Sequence, residues 1–175
     1  MHFVDPIYNK EDITKMRREL KRQVNGERNL LCFELCLATA FRIGDALSLR
    51  VKDVKSGIIR KRISKTKKEI HLELPEEVVR KINNYIEFME DDELLFPVNR
   101  STMYRSFRNA AKKIGLENFG THSVRKTKAY HYYCDSNYNL IGTQQLLGHS
   151  DSKDLLRYIG WTKKQLSDSV RGHVL

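Results

Sequence analysis

The chain has 175 residues, 40% hydrophobic and 31% charged, which suits one domain with a single core and offers no run of the ~18 apolar residues that a membrane helix needs. Lys and Arg number 32 against 22 Asp and Glu, a net charge of +10, and that excess favours a polyanionic partner. The start, Met1-His2-Phe3-Val4-Asp5, lacks a basic–apolar export pattern, and Cys32, Cys36 and Cys134 form no Cys-x-x-Cys pair, which argues against a zinc site and for reduced thiols in the cytoplasm.

Residues 10–24 read as an amphipathic helix with Ile13, Met16, Leu20 and Val24 inward, and residues 28–41 as a mostly buried helix. A short helix is expected over residues 43–49. Three strands of a small antiparallel sheet follow: Val51 to Val54, residues 58–63 after a Ser56-Gly57 turn, and a half-buried strand with Ile70, Leu72 and Leu74. The stretch Ser64-Lys65-Thr66-Lys67-Lys68 forms the hairpin tip. Pro75 opens a helix reaching about residue 89, with Val79, Ile82, Ile86 and Met89 inward. Ser101 caps a helix that Gly115 ends, and Thr121 caps a helix carrying Val124, Arg125 and Ala129. A short helix over residues 141–147 stops at Gly148. Another includes Leu155 and Leu156 and carries Tyr158, and Thr162 caps a last one. The fold class is mainly α (α+β), in one domain over residues 1–175.

Basic residues cluster at Arg17-Arg18 with Lys21-Arg22, at Arg60-Lys61-Arg62, at Lys112-Lys113 and at Arg125-Lys126-Thr127-Lys128. The acidic run Glu90-Asp91-Asp92-Glu93 stands apart, as a face turned away from DNA would. Arg42 directly follows a long apolar helix, so it sits at a helix end near the core. His122 precedes Arg125 by three residues, and His149 precedes Tyr158 by nine. Taken singly, each is more often structural than functional. His2, His71, His131 and His173 stay under that plain reading.

The segments Phe41-Arg42-Ile43-Gly44-Asp45-Ala46-Leu47, His122-Ser123-Val124-Arg125, Leu147-Gly148-His149-Ser150 and Leu156-Arg157-Tyr158 together resemble the tyrosine recombinase (phage integrase) family. The resemblance runs from the helix near residue 10 to the tail after Tyr158. It implies an integrase-like helical catalytic domain and a site-specific recombinase that cleaves DNA through a 3′-phosphotyrosine. It implies Tyr158 as nucleophile and Arg42 and Arg125 as clamps on the non-bridging phosphate oxygens, where paired guanidinium donors suit developing charge. His122 would assist proton handling and His149 would bind a phosphate oxygen. Lys65 matches the mobile general-acid lysine, although Lys67 or Lys68 of the same run would serve, and all three equally suit a basic hairpin on the DNA backbone. Asp45 either orients catalytic side chains or caps its helix. Lys126 and Lys128 stand as DNA contacts, Lys128 where relatives tend to carry an apolar residue. Thr39-Ala40-Phe41 replaces the family's frequent Thr-Gly-Leu.

The resemblance also implies double-stranded DNA as partner, a homo-oligomer (a tetramer) on paired sites, accessory DNA-binding proteins, and neither metal nor other cofactor. The length leaves no room for the additional N-terminal domain of most integrases, which fits a short stand-alone recombinase or an excised catalytic domain. Residues 162–175, with Trp161, Leu166, Val170 and Val174 as anchors, either dock on a neighbouring subunit or pack on their own domain. Two other functions share the scaffold: a non-catalytic DNA-binding regulator and a type IB topoisomerase-like relaxing enzyme. A metal-dependent nuclease is disfavoured, because no carboxylate cluster resembles a two-metal site.

Overall fold

The structure, a computed structural model, describes residues 4–62, 69–148, 155–158 and 170–171. The expected hairpin tip, the helix after Thr162, and Lys65, Lys67, Lys68, His149, Trp161, Leu166 and Val174 lie outside the described residues. Val170 is exposed.

Helix α1 spans Lys10–Lys21 and starts where the Asn9 side chain accepts from the Glu11 amide at 2.9 Å. Its apolar stripe buries Ile13, Met16 and Leu20. Val24 does not continue the stripe and is fully exposed. The helix has closed by then. The Gln23 amide side chain donates to the Ser106 carbonyl at 2.9 Å and accepts from Asn29 Nδ2 at 2.7 Å, which fixes the turn with Val24 outward.

Helix α2, Gly26–Thr39, is the central rod and packs against α1 and four later helices. Cys32, Phe33, Leu35 and Cys36 fill the core around it. Glu34 is buried as well, which would cost several kcal/mol per uncompensated charge, on the order quoted for desolvated ions. The Arg17 guanidinium meets it through two bonds, at 2.7 and 3.1 Å, and Lys81 approaches at 3.4 Å. Helix α3, Ile43–Leu47, follows at once, then α4, Val51–Val54.

Val51–Val54 was expected as a strand and is this helix, so among the described residues the sheet has two strands rather than three. Val51 and Val54 are both buried. Residues three apart share a helix face, whereas in a strand they would point to opposite faces. The Asp53 carboxylate accepts from the Arg50 amide at 2.9 Å, and the Lys55 amide donates to the Val51 carbonyl at 3.0 Å. What pairing the segment does make is one isolated bridge from Arg50 to Leu94.

Strands β1 (Ile58–Arg62) and β2 (Glu69–Glu73) pair antiparallel, Ile58 opposite Glu73 and Arg62 opposite Glu69. Helix α5, Glu76–Tyr85, has Pro75 at its N-cap and buries Val78 and Ile82, with Val79 and Ile86 partly covered. Helix α6, Arg100–Lys113, is capped by Asn99, two residues before the expected Ser101. Its side chain accepts from the Thr102 amide at 2.8 Å. Phe107 of α6 meets Phe33 of α2 edge-on at 5.7 Å.

Helix α7, Thr121–Asp135, is capped from Gly120, whose amide donates to Ser123 Oγ at 3.0 Å, so Thr121 is the first helical residue rather than the cap. Helix α8, Leu140–Leu147, stops at Gly148, which adopts φ +61°. Helix α9 is described over Leu155–Tyr158. A second, smaller core of Ala40, Ala129, Tyr133, Leu147 and Leu155 joins α7, α8 and α9, and Tyr158 packs on it. Cys32, Cys36 and Cys134 are all free thiols. No described helix is long and apolar enough to cross a membrane.

Candidate active site

Arg125 is the centre of the site. It lies on the second turn of α7 and is 5% exposed, low for a side chain that rarely loses its charge. Nη1 donates to the Ala40 carbonyl at the end of α2, and Nη2 donates to the Leu147 carbonyl at the end of α8 at 2.5 Å. Carbonyls in the last turn of a helix lack intrahelical partners. One guanidinium therefore satisfies two helix ends, residues 85 and 22 positions away along the chain. Burial pushes the Arg125 pKa down. Tyr158, by charge and by a side-chain hydrogen bond, and Asp45, by charge, restore part of it, while Arg42 opposes it.

Arg42 reaches the site because α2 ends abruptly. Ala40 takes a left-handed conformation, φ +56°, and its amide donates to the Cys36 carbonyl at 2.9 Å. Glycine is usual at such a stop, and alanine makes the same turn here. Two residues on, Arg42 is the N-cap of α3, and its carbonyl accepts from Asp45 and Ala46 at 2.9 and 3.0 Å. Asp45 itself is 3% exposed, and its charge supports that of Arg125.

His122, in the first turn of α7, keeps a solvent-facing surface beside this group. Its pKa is held below the ordinary histidine value, by desolvation first and then by Arg125, Arg42, Arg100 and Lys126. Tyr158 faces the same cluster from α9, its ring 5.3 Å from Lys126 Nζ. Arg42, Asp45, His122, Arg125 and Tyr158 are thus brought together from three stretches of chain. Lys128 stands off from them, half-buried, its charged form disfavoured by burial and favoured by Asp135. Lys126 is nearly buried, and Nζ donates to the Val4 carbonyl at 2.8 Å.

Arg100 belongs to this group and was not singled out from the sequence. Its guanidinium passes 3.9 Å from the place a Cβ on Gly44 would occupy. With Ile43, Ser101, Tyr104, Arg105 and Thr121 it lines a cleft of about 300 Å³ beside His122. A local signal existed. The first turn of α6 carries Arg100 and no acid, although helix N-termini favour negative charge. A cation there opposes the helix dipole unless an anion joins it. The arrangement as a whole gathers Arg42, Arg100, Arg125 and Lys126 around His122, with Tyr158 beside Arg125 and Lys126, a concentration of positive charge that an anion would relieve.

The phage integrase family model matches residues 7–165. A probable integrase/recombinase of Bacillus subtilis (strain 168), YoeC, is 35% identical over 168 residues, 91% of each chain. The tyrosine recombinase XerA of Saccharolobus solfataricus is 30% identical over 128 residues. That match takes in 72% of this chain but only 43% of XerA. Among solved structures, XerA recombinase superposes with a TM-score of 0.77 at 22% identity, over 99% of this chain and 67% of that one. The catalytic domain of bacteriophage HP1 integrase gives 0.67 at 24% identity, over 97% and 95%. At these identities the likeness to solved structures is a likeness of fold, here the integrase catalytic-domain fold.

Proposed function

This chain belongs to the phage integrase family, and we propose that it is a site-specific DNA recombinase cleaving and rejoining DNA through Tyr158. The observation that carries this reading is the gathering of two arginines, a histidine and a tyrosine: Arg125, beside Lys126 whose ammonium lies over the Tyr158 ring, feels the charges of Tyr158 and Arg42, and His122 feels both arginines. In the reaction, the Tyr158 oxygen attacks phosphorus and its proton passes to a neighbouring base, His122. A 3′-phosphotyrosine ester forms as the bond to the 5′ oxygen breaks. Lys65 protonates that oxygen as it leaves. A 5′ hydroxyl from a second strand then reverses the step, and the ester conserves the bond energy, so neither ATP nor a metal takes part.

Arg42 and Arg125 hold the non-bridging oxygens, with His149 as a further donor, and Asp45 steadies Arg125. The partner is double-stranded DNA. A lambda integrase tetramer is known on a Holliday junction, and a homo-tetramer on paired sites is the assembly proposed for this chain.

The test is covalent trapping on nicked suicide duplexes carrying candidate sites, in chelator, followed by denaturation. A protein–DNA adduct that disappears in Tyr158→Phe is expected. Tight DNA binding with no adduct in the wild type would overturn the catalytic reading.

A further inference from the structure

Lys126 is a buried lysine with an unusual set of neighbours. It is 8% exposed, and lysine is almost never fully buried unless paired. Nζ donates to the Val4 carbonyl at 2.8 Å and lies 5.3 Å from the centre of the Tyr158 ring. That second distance is within the range at which an ammonium is held by an aromatic face. Burial lowers the Lys126 pKa, and Asp5 raises it, so the protein tolerates a charge it pays to desolvate.

The carbonyl that Lys126 holds belongs to a strap. Residues 4–8 run across α7, with the Ile7 amide donating to Thr127 Oγ1 at 2.8 Å. The His131 ring bonds the Ile7 carbonyl at 2.9 Å, and Tyr8 meets Tyr130 edge-on at 5.0 Å. Thr127, Tyr130 and His131 hold the strap from α7. Lys126 touches both the strap and Tyr158. Leu155 at the start of α9 is buried, and the Tyr158 ring packs on the same small core with the Lys126 ammonium over its face. Tyr158 lies near enough to Arg125 to support its charge.

We infer that Lys126 is a positioning residue for the nucleophile: tethered by the Val4 carbonyl, its ammonium holds the Tyr158 ring against Arg125 before DNA arrives. This rests on the phosphotyrosine reading. It differs from a role for Lys126 as a DNA contact, because a positioning residue affects the rate at saturating DNA rather than the affinity for DNA.

The experiment measures single-turnover adduct formation on a suicide duplex at saturating DNA, and Kd for intact duplex, in the full chain. Lys126→Met keeps the stem and removes the charge. Its cleavage rate should fall about 10-fold, the scale of one desolvated cation–ring contact, with Kd changed by less than about 2-fold. Lys126→Arg restores a cation and should recover to within about 3-fold of wild type. His131→Phe removes one contact to the strap while the Thr127 and Tyr130 contacts and the Val4 carbonyl on Lys126 remain, so it should cleave like wild type.

A Lys126→Met rate equal to wild type overturns the inference. So does a loss confined to Kd and its salt slope, which would make Lys126 a DNA contact. An equal rate loss in His131→Phe overturns it too, because the strap alone would then account for the effect. Should Lys126→Met fail to fold, Lys126→Gln carries the same test. A wild-type chain that forms no adduct while binding DNA fails the recombinase reading itself, a result visible before any Lys126 variant is compared.

Discussion

Desolvation and four cations hold the pKa of His122 below the ordinary histidine value, which favours the neutral ring, the form able to accept a proton. The stability consequence has a definite sign. Below about 6.5 the unfolded histidine takes up a proton that the folded one resists, and stability falls wherever the unfolded state binds more protons. His131, whose pKa burial lowers despite its bond to the Ile7 carbonyl, acts in the same direction. The urea midpoint at pH 7.5 should therefore exceed that at pH 5.5, and His122→Asn should shrink the difference. Equal midpoints in the wild type would contradict the crowding of charge around His122. Arg125 makes the complementary point. The sequence suggests a phosphate clamp, and the fold adds a second task, joining the ends of α2 and α8. The chain segments leading to Arg42 and to His149 both start from carbonyls that Arg125 holds.

The elements are punctuated by short-range chemistry. Asn9, Asn99 and Asn139 cap α1, α6 and α8 with their side chains. Two turns depend on glycine for different reasons. Gly148 has φ +61° with no atom of the described residues within 4 Å of an added Cβ, while Gly57 has φ +75° and an added Cβ would lie 3.0 Å from a Val79 methyl. Gly148→Ala should cost about 1–2 kcal/mol in backbone strain alone. Gly57→Ala carries the same strain plus a clash between the α4–β1 turn and α5, so its loss in urea unfolding should be larger. Equal losses would mean that Val79 yields freely. Helices α1, α5 and α6 were legible because their buried residues recur at helical spacing. Val51–Val54 was not, because four residues are too few to separate a period of two from one of 3.6. There the Asp53 cap decided.

At the scale of the whole molecule, the charges divide. Lys52 of α4 and Lys55 at its C-cap meet Asp92 and Asp91, Arg17 and Lys81 meet Glu34, and Lys10 meets Asp135. The run Glu90-Asp91-Asp92-Glu93, expected to stand apart, thus serves α4. Arg42, Arg100, Arg125 and Lys126 converge instead around His122. Binding to duplex DNA should weaken steeply with salt, on the order of 10³-fold between 50 and 200 mM for about six contacted phosphates. Arg100→Ala should reduce the slope of log K against log salt by about 1. A gel-shift titration insensitive to salt would remove duplex DNA as the partner.

The sequence by itself determined the mainly helical fold class, most helix positions and the antiparallel strand pair, which rest on periodicity and capping residues that act over a few positions and can be read along the chain. Its resemblance to the phage integrase family pointed to Arg42, His122, Arg125 and Tyr158 as candidates. Only the tertiary structure decided that Arg125 serves carbonyls at both Ala40 and Leu147, that Arg100 joins the cluster, and that Lys126 lies between Val4 and Tyr158. Those contacts join residues up to 122 positions apart. Which buried donor answers which helix-end carbonyl depends on how the helices pack, and local spacing does not encode that.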